Sequence, residues 1–336
     1  MLKIKTIGIP KEIKNNEKRV SLIPKEVNEL ISLNINVIIE TGAGENAGYK
    51  DEEYLKVGGI IFKTANEIYK NSDLIVKVKE PQEEEYELIK EGQIIFTFFH
   101  FASSAKLIDA MIKAKATCIA YETIITDNGI YPILAPMSKI AGEEAMKYAY
   151  NYTEGNKNSE KDIITIIGIG NVGKAAAIMG RKLGYNKIIL MDIDEKRLRE
   201  FNEENDNYYE IYTDSLEQII KKSNIIIGSI YRFGSKASTI ITDRLLELVP
   251  DRSIIMDVAI DQGGITSQSK ATTIDNPIIK YKNASIYCVP NIPCQVPHEA
   301  SNELSKVVVK YIKKIINNEI NDEIKGGIFM INGVIN

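Results

Sequence analysis

Histidine is nearly absent from this chain, with two residues in 336, and cysteine is scarcely commoner, with three. Cys118, Cys288 and Cys294 fit no metal-ligand spacing and no disulfide framework, which leaves them as small buried or half-buried thiols. No stretch approaches the roughly 18 uninterrupted apolar residues of a membrane span, and the opening MLKIKTIGIPKE has no apolar segment behind a basic start. A cytoplasmic protein without a membrane partner is therefore expected. The formal net charge is only -4, and no Lys/Arg cluster rises above the mixed charge around it, so no nucleic-acid partner is expected. The acidic run EEEYE at 83–87 reads as a solvated helix face. There is no internal repeat and no low-complexity segment.

What remains is an ordinary globular composition, 44% hydrophobic and 26% charged, in a chain long enough for two domains. Short β-branched runs alternate with amphipathic patterns: IKTIGI, PKEVNELISL, NVIIETG, DEEYLKVG, DLIVKVK, QIIFTFF, SSAKLIDAMIKA and TCIAYE. This alternation predicts an α/β fold with parallel sheets covered on both faces. MSKIAGEEAMKYAYNY at 137–152 predicts one helix, and the polar run TEGNKNSEKD after it a linker or surface loop. The alternation then resumes with DIITIIGIGNVGKAAAIMGRKLG, KIILMDID, YYEIYT, SNIIIGSI and RSIIMDVAIDQGG, and a last long helix is expected over 298–318.

The glycines of IGIGNVG carry the first functional signal. Gly168, Gly170 and Gly173 follow a β-branched strand and open a helix, the context that turns a weak motif into a dinucleotide-binding fingerprint. Gly168 allows the tight turn, Gly170 lets the backbone approach a pyrophosphate, and Gly173 permits close helix–strand packing, with the helix N-terminus facing the anion. Asp192 ends the next strand, 24 residues past Gly168, where a carboxylate accepts ribose hydroxyls and repels a 2′-phosphate, favouring NAD over NADP. Arg197 lies close enough along the chain to offset part of that repulsion.

Nicotinamide chemistry on an amine or carbonyl needs a proton carrier, a cation for any carboxylate and a water-poor pocket. His100 sits within the apolar run IIFTFFHFASS, where the bland alternative is a core histidine with one hydrogen bond. Lys79 ends an apolar strand. Both belong near the carboxyl ends of strands, the rim where open α/β sheets bind ligands. Arg19, in the polar loop KEIKNNEKRV, has the planar fork that suits a carboxylate, or is a surface arginine among other charges. Asp261, before the Gly pair in AIDQGG, stands where the backbone can pass close to a ligand. His298, beside Glu299 at a helix start, reads as solvated or capping.

The strings IGIPKEIKNNEKRV, VKVKEP, FTFFHFA, IAYET, LAPMSKIAG, IGIGNVG, DVAIDQGG, TTIDNP and YCVPNIP together resemble, in order and approximate spacing, the L-alanine dehydrogenase family, from residue 4 to about 318. The resemblance implies two Rossmann-like domains with an interdomain cleft. Residues 1–136 with 300–336 would form the substrate domain, and 137–299 the NAD-binding domain. It implies reversible NAD-dependent oxidative deamination of L-alanine to pyruvate and ammonium by a cytoplasmic homo-oligomer, a hexamer by family or a dimer. By matching strings it makes Arg19 and Lys79 the substrate ligands and His100 and Asp261 the acid/base pair. Around the NAD it places Ser138, Gly168, Gly170, Asn171, Val172, Gly173, Asp192, Arg197, Thr213, Ile230 and Tyr231. To these it adds Val258, Ala259, Ile260, Asp261, Lys270, Val289, Pro290, Asn291 and Ile292. A dry wall around His100 would keep its pKa near neutral.

The chain departs from the family pattern in several places. TEGNKNSEKD is shorter and more polar than the usual Gly- and Pro-rich stretch, FGSKAS replaces a PGAKAP-like loop, Lys270 stands for an arginine, and HEASNE replaces a Thr/Ser-rich helix start. These departures bear on oligomeric contacts, cofactor closure and the substrate pocket. Two other readings share the motifs: an opine-type dehydrogenase similar to N5-(carboxyethyl)ornithine synthase, and a transhydrogenase-like NAD-binding subunit without small-substrate chemistry. A catalytically silent NAD sensor is a third.

Overall fold

The computed structural model describes residues 4–101, 104–213, 215–230 and 237–336. The chain divides into two compact units, residues 1–137 with 294–336 and residues 138–293. Re-entry into the first unit thus begins at Cys294, six residues before the expected position. Local contacts explain this: Cys294 Sγ donates to Glu17, and the His298 ring stacks on Tyr49 with a centroid distance of 4.7 Å.

Among the described residues, the first unit contains strands β1 (Thr6–Ile9), β2 (Asn36–Glu40), β3 (Ile60–Phe62), β4 (Leu74–Lys79), β5 (Ile94–Phe98) and β6 (Thr117–Ala120). These six are parallel, with β1 between β2 and β4, and β5 between β4 and β6. Their near-continuous apolar sequences suit a sheet covered on both faces. The segment between β1 and β2 supplies a helix, Pro24–Ile31, started by a proline at a position where no N–H is needed.

The second unit holds β7 (Ile163–Ile167), β8 (Lys187–Met191), β9 (Glu210–Ile211), β10 (Ile225–Gly228), β11 (Ile254–Asp257), β12 (Ile278–Tyr281) and β13 (Ala284–Tyr287). They run in the order β12-β13-β11-β10-β7-β8-β9, all parallel except β12. Its core joins the isoleucines of β7 and β10 to the helices Leu134–Tyr152 and Asn171–Lys182. The α/β class and mostly parallel sheets follow the alternation of the sequence.

Several boundaries differ from expectation. The helix expected over 137–152 starts earlier, at Leu134, and the last long helix runs Pro297–Ile316 rather than 298–318. TEGNKNSEKD, expected as a loop, contains a short helix at Gly155–Asn158. Past β13 the first sheet is extended by β14 (Ile328–Ile331), antiparallel to β6, and by β15 (Val334–Ile335), antiparallel to β14. A single helical turn, Asp322–Lys325, leads into β14, and the two short strands were not expected from the alternation. No described helix is long and apolar enough to cross a membrane.

Candidate active site

In the first unit β1 lies between β2 and β4, so the connections leave β1 and β4 in opposite directions. A crevice opens at such a switch point, beyond the carboxyl ends of the strands. Arg19 lies in the loop that follows β1, Lys79 is the last residue of β4, and His100 comes two residues after the end of β5. Three residues spread over more than eighty positions are thereby brought within electrostatic reach of one another.

Arg19 is 3% exposed and held by a neighbour that the sequence reading did not single out. Glu17 accepts from Arg19 Nε at 2.8 Å and Nη2 at 2.7 Å, and the Arg19 Nη1 contacts Met137 Sδ at 3.2 Å. Burial by itself would raise the Glu17 pKa. The Arg19 charge and hydrogen bonds, with Lys79 behind them, outweigh it and hold the carboxyl down to about 2. Cys294 adds a thiol donor to Glu17 at 3.1 Å, and burial pushes that thiol up to about 11. All three cysteines are buried and outside any disulfide, and Cys294 belongs to this cluster. Its distance in sequence from Glu17 hid that fact.

Lys79 owes its placement to a slip in the sheet. The β4–β5 pairing runs Leu74↔Ile94 to Val76↔Phe96 and then resumes at Lys79↔Phe98, one residue extra on β4. The Glu12 carboxylate, from the loop after β1, accepts the N–H of Val78 at 2.6 Å and of Lys79 at 3.3 Å. Glu12 also lies 3.3 Å from the Lys77 ammonium, which pairs with Glu85 at 2.8 Å. Burial raises Glu12 to about 7 against the pull of Lys77. Burial lowers the Lys79 pKa, and the Arg19 charge lowers it further.

His100 departs from the expected near-neutral pKa. Desolvation by the surrounding protein, then the Lys79 ammonium, push it down to about 4, although the residue keeps a solvent-accessible face. The imidazole is neutral at pH 7. His100 is also left-handed, with φ +51°, so it is not part of a regular buried strand. The N–H groups of Phe99 and His100 donate to Glu122, at 3.2 and 2.6 Å. The His100 ring lies near-parallel to that of Phe98, with centroids 6.0 Å apart.

In the second unit β7 lies between β10 and β8, which sets up a second switch point. Gly168 follows β7 with φ +94°, and a Cβ there would lie 2.8 Å from the Ser229 carbonyl oxygen. A Cβ at Gly173 would lie 1.9 Å from Gly168 O, so the helix Asn171–Lys182 can start this close to the turn only with glycine. At Gly170 nothing lies within 4 Å of the corresponding position, leaving open space at the helix N-terminus. Asn171 and Val172 form the first turn of that helix.

Nearly every other candidate in this unit also follows a strand end. Asp192 follows β8, Thr213 β9, Ile230 β10, Val258 to Asp261 β11, and Val289 to Ile292 β13. Asp192 Oδ2 accepts from Ile169 N at 2.6 Å and Oδ1 from Asp194 N at 3.0 Å, fixing the carboxylate beside the glycine turn. Arg197 pairs with Asp192 at 3.6 Å and Asp194 at 3.3 Å. Asp261 is exposed, and Asn291 N approaches its Oδ2 at 3.5 Å. Ser138 lies in the second turn of the helix Leu134–Tyr152, and Lys270 is exposed on a loop. Tyr231, and most of the FGSKAS loop, lie outside the described residues.

The chain is similar to known proteins over nearly its whole length. Residues 8–141 match the family model for the alanine dehydrogenase/PNT N-terminal domain, and residues 155–336 that for the C-terminal domain. An alanine dehydrogenase of Mycobacterium tuberculosis is 35% identical over 307 residues, covering 87% of this chain and 82% of the relative. One from the archaeon Methanococcus maripaludis is 36% identical over 302 residues, covering 85% and 81%. Among solved structures, an L-alanine dehydrogenase superposes with a TM-score of 0.92 at 31% identity, covering 98% of this chain and 96% of that one. A transhydrogenase from Sinorhizobium meliloti shares the fold, with a TM-score of 0.87 at 22% identity, covering 98% of each chain. The chain belongs to the alanine dehydrogenase/PNT family.

Proposed function

We propose that the chain catalyses the NAD-dependent, reversible oxidative deamination of L-alanine to pyruvate and ammonium. The observation that carries this reading is the gathering of Arg19, Lys79 and His100 at the strand ends of one unit, in a member of a family whose relatives include alanine dehydrogenases. The glycine turn and the open space at Gly170 fit a dinucleotide: the turn and helix N-terminus would hold the pyrophosphate and Asp192 the ribose hydroxyls. When bound, NAD supplies a hydride acceptor and, reduced, a hydride donor. Asp192 disfavours a 2′-phosphate, and Arg197, paired to two carboxylates, has little charge left to offset it.

The chain's own groups then do the following. Glu17 occupies Nε and one Nη2 hydrogen of Arg19, so the guanidinium meets the substrate carboxylate from its Nη1/Nη2 end. Lys79 places its ammonium on the substrate carbonyl oxygen and draws charge onto it. In the oxidative direction, neutral His100 takes a proton from the water that attacks the iminium carbon, and returns it as ammonia leaves the carbinolamine. In the reductive direction ammonia attacks the polarised ketone, and the same imidazole moves protons as water departs. Asp261, which follows β11 in the second unit, is the other acid/base group that the family resemblance implies. Phe98 and Phe99, both buried, make the protein side of His100 apolar.

The appearance of NADH, followed by its absorbance, with L-alanine and NAD tests the reading. We expect turnover with NAD well above that with NADP. Absence of turnover, or reduction of pyruvate with ornithine but not ammonium, would overturn it. The same reading takes the protein as a cytoplasmic homo-oligomer, which light scattering on the purified protein and cell fractionation test.

A further inference from the structure

We propose that Glu122 is a positioning residue for His100, holding the imidazole-bearing backbone in its left-handed conformation from the turn that follows β6. The proposal rests on the acid–base role given to His100 above. Strands β5 and β6 pair in register as far as Thr97↔Ala120. Beyond that point β5 loses its pairing with β6, and the N–H groups of Phe99 and His100, past the end of the strand, need other acceptors. Glu122 lies in the single turn Tyr121–Thr123 directly after β6 and offers one oxygen to each: Oε2 to Phe99 N at 3.2 Å and Oε1 to His100 N at 2.6 Å.

The need for such a clamp follows from the conformation. Residue 100 has φ +51°, a region that a Cβ-bearing residue occupies only when its surroundings over-determine it. Phe99 is fully buried, so its side chain anchors the approach to the kink, and the paired charge-assisted hydrogen bonds anchor the two peptide groups that flank Phe99, up to the N–H of His100. The Phe98 ring then fixes the side on which the imidazole lies, at an interplanar angle of 12°. Together these hold the ring at a strand end within electrostatic reach of Lys79, whose charge acts on both His100 and Glu122. Glu122 itself has no place in the proton transfers described above. It acts through the histidine.

Glu122→Gln is nearly isosteric but has one acceptor oxygen, and its amide sets a donor against one of the two N–H groups. We expect kcat to fall about 10- to 100-fold, the order of loss from misplacing a catalytic group by an ångström, while KM for pyruvate changes little because Arg19 and Lys79 still hold the substrate. In a His100→Ala background the same substitution should cause no further loss. A readout independent of turnover is available because the chain has only two histidines. The His100 ring Cε1–Hε1 NMR cross-peak, assigned by its loss in His100→Ala, should move in Glu122→Gln while that of His298 stays. An unmoved cross-peak, or an equal loss of kcat in the His100→Ala background, would overturn the proposal. Should wild-type protein turn over neither substrate, the proposed reaction fails and the cross-peak alone decides the positioning role. If Glu122→Gln does not fold, Glu122→Asp, which keeps both oxygens on a shorter arm, decides it: a displaced His100 cross-peak supports the clamp and an unmoved one refutes it.

Discussion

Replacing Glu17 by glutamine should destabilise the first unit by about 3 kcal/mol at pH 7, and two routes lead to that figure. The carboxyl is held down from 4.5 to about 2, and each tenfold change in proton affinity is worth about 1.4 kcal/mol. Removing one partner of a buried ion pair independently costs about 3–5 kcal/mol, because the other charge stays buried and unpaired. Both members are buried here, at 3% and 0% side-chain exposure, so solvent screening takes little away. Hydrogen exchange of peptides spanning Arg19, together with urea denaturation, reads the loss. The pH dependence supplies a second check. Because the folded-state pKa of Glu17 is depressed, its contribution is present above about 4.5 and is lost as pH falls through about 2. The difference between wild type and Glu17→Gln should therefore be full at pH 7 and shrink toward pH 2. A difference below about 1 kcal/mol at pH 7, the size of a surface ion pair, or one that does not shrink with acid, would refute the reasoning.

Glu12 should show the opposite sign. Its folded pKa is raised from 4.5 to about 7, so its contribution is full below 4.5 and is lost as pH rises through 7. Glu12→Gln should flatten that part of the stability profile, which thermal melts across pH 4 to 8 would show. For activity, His100 at about 4 means that kcat/KM for alanine oxidation has no inflection from this group near 6.5, and His100→Ala should lower kcat about 10²- to 10⁴-fold. In the second unit, Gly170→Ala places a methyl in open space and should leave the melting temperature unchanged while weakening NADH binding, measured by fluorescence titration. Gly173→Ala, with its Cβ 1.9 Å from Gly168 O, should lose both.

The sequence was informative where chemistry coincides with a local pattern. The alternation of β-branched runs and amphipathic segments is a short-range property, and it anticipated the parallel sheets. The glycine spacing after IITII likewise identified a turn whose geometry depends on those few residues alone. Lys79 and His100 were legible as residues at strand ends. What could not be read were the partners that arrive from elsewhere in the chain. Glu12 meets Lys79 only because of a one-residue slip between β4 and β5, and Glu122 meets His100 only because β6 lies beside β5. Cys294 looked like an inert thiol until the returning chain set it against Glu17, 277 positions away. The His100 pKa was misjudged for the same reason. An apolar sequence neighbourhood was visible, but the ammonium of Lys79 and the depth of desolvation are properties of the folded unit.

The central claim is that these side chains serve an amination of pyruvate with His100 as proton carrier. Its most direct test is NADH consumption by the purified protein with pyruvate and ammonium, measured for wild type and His100→Ala in parallel. The account predicts turnover that requires ammonium and is lost with the imidazole. Turnover that needs a larger amine such as ornithine, or that survives in His100→Ala, would contradict it.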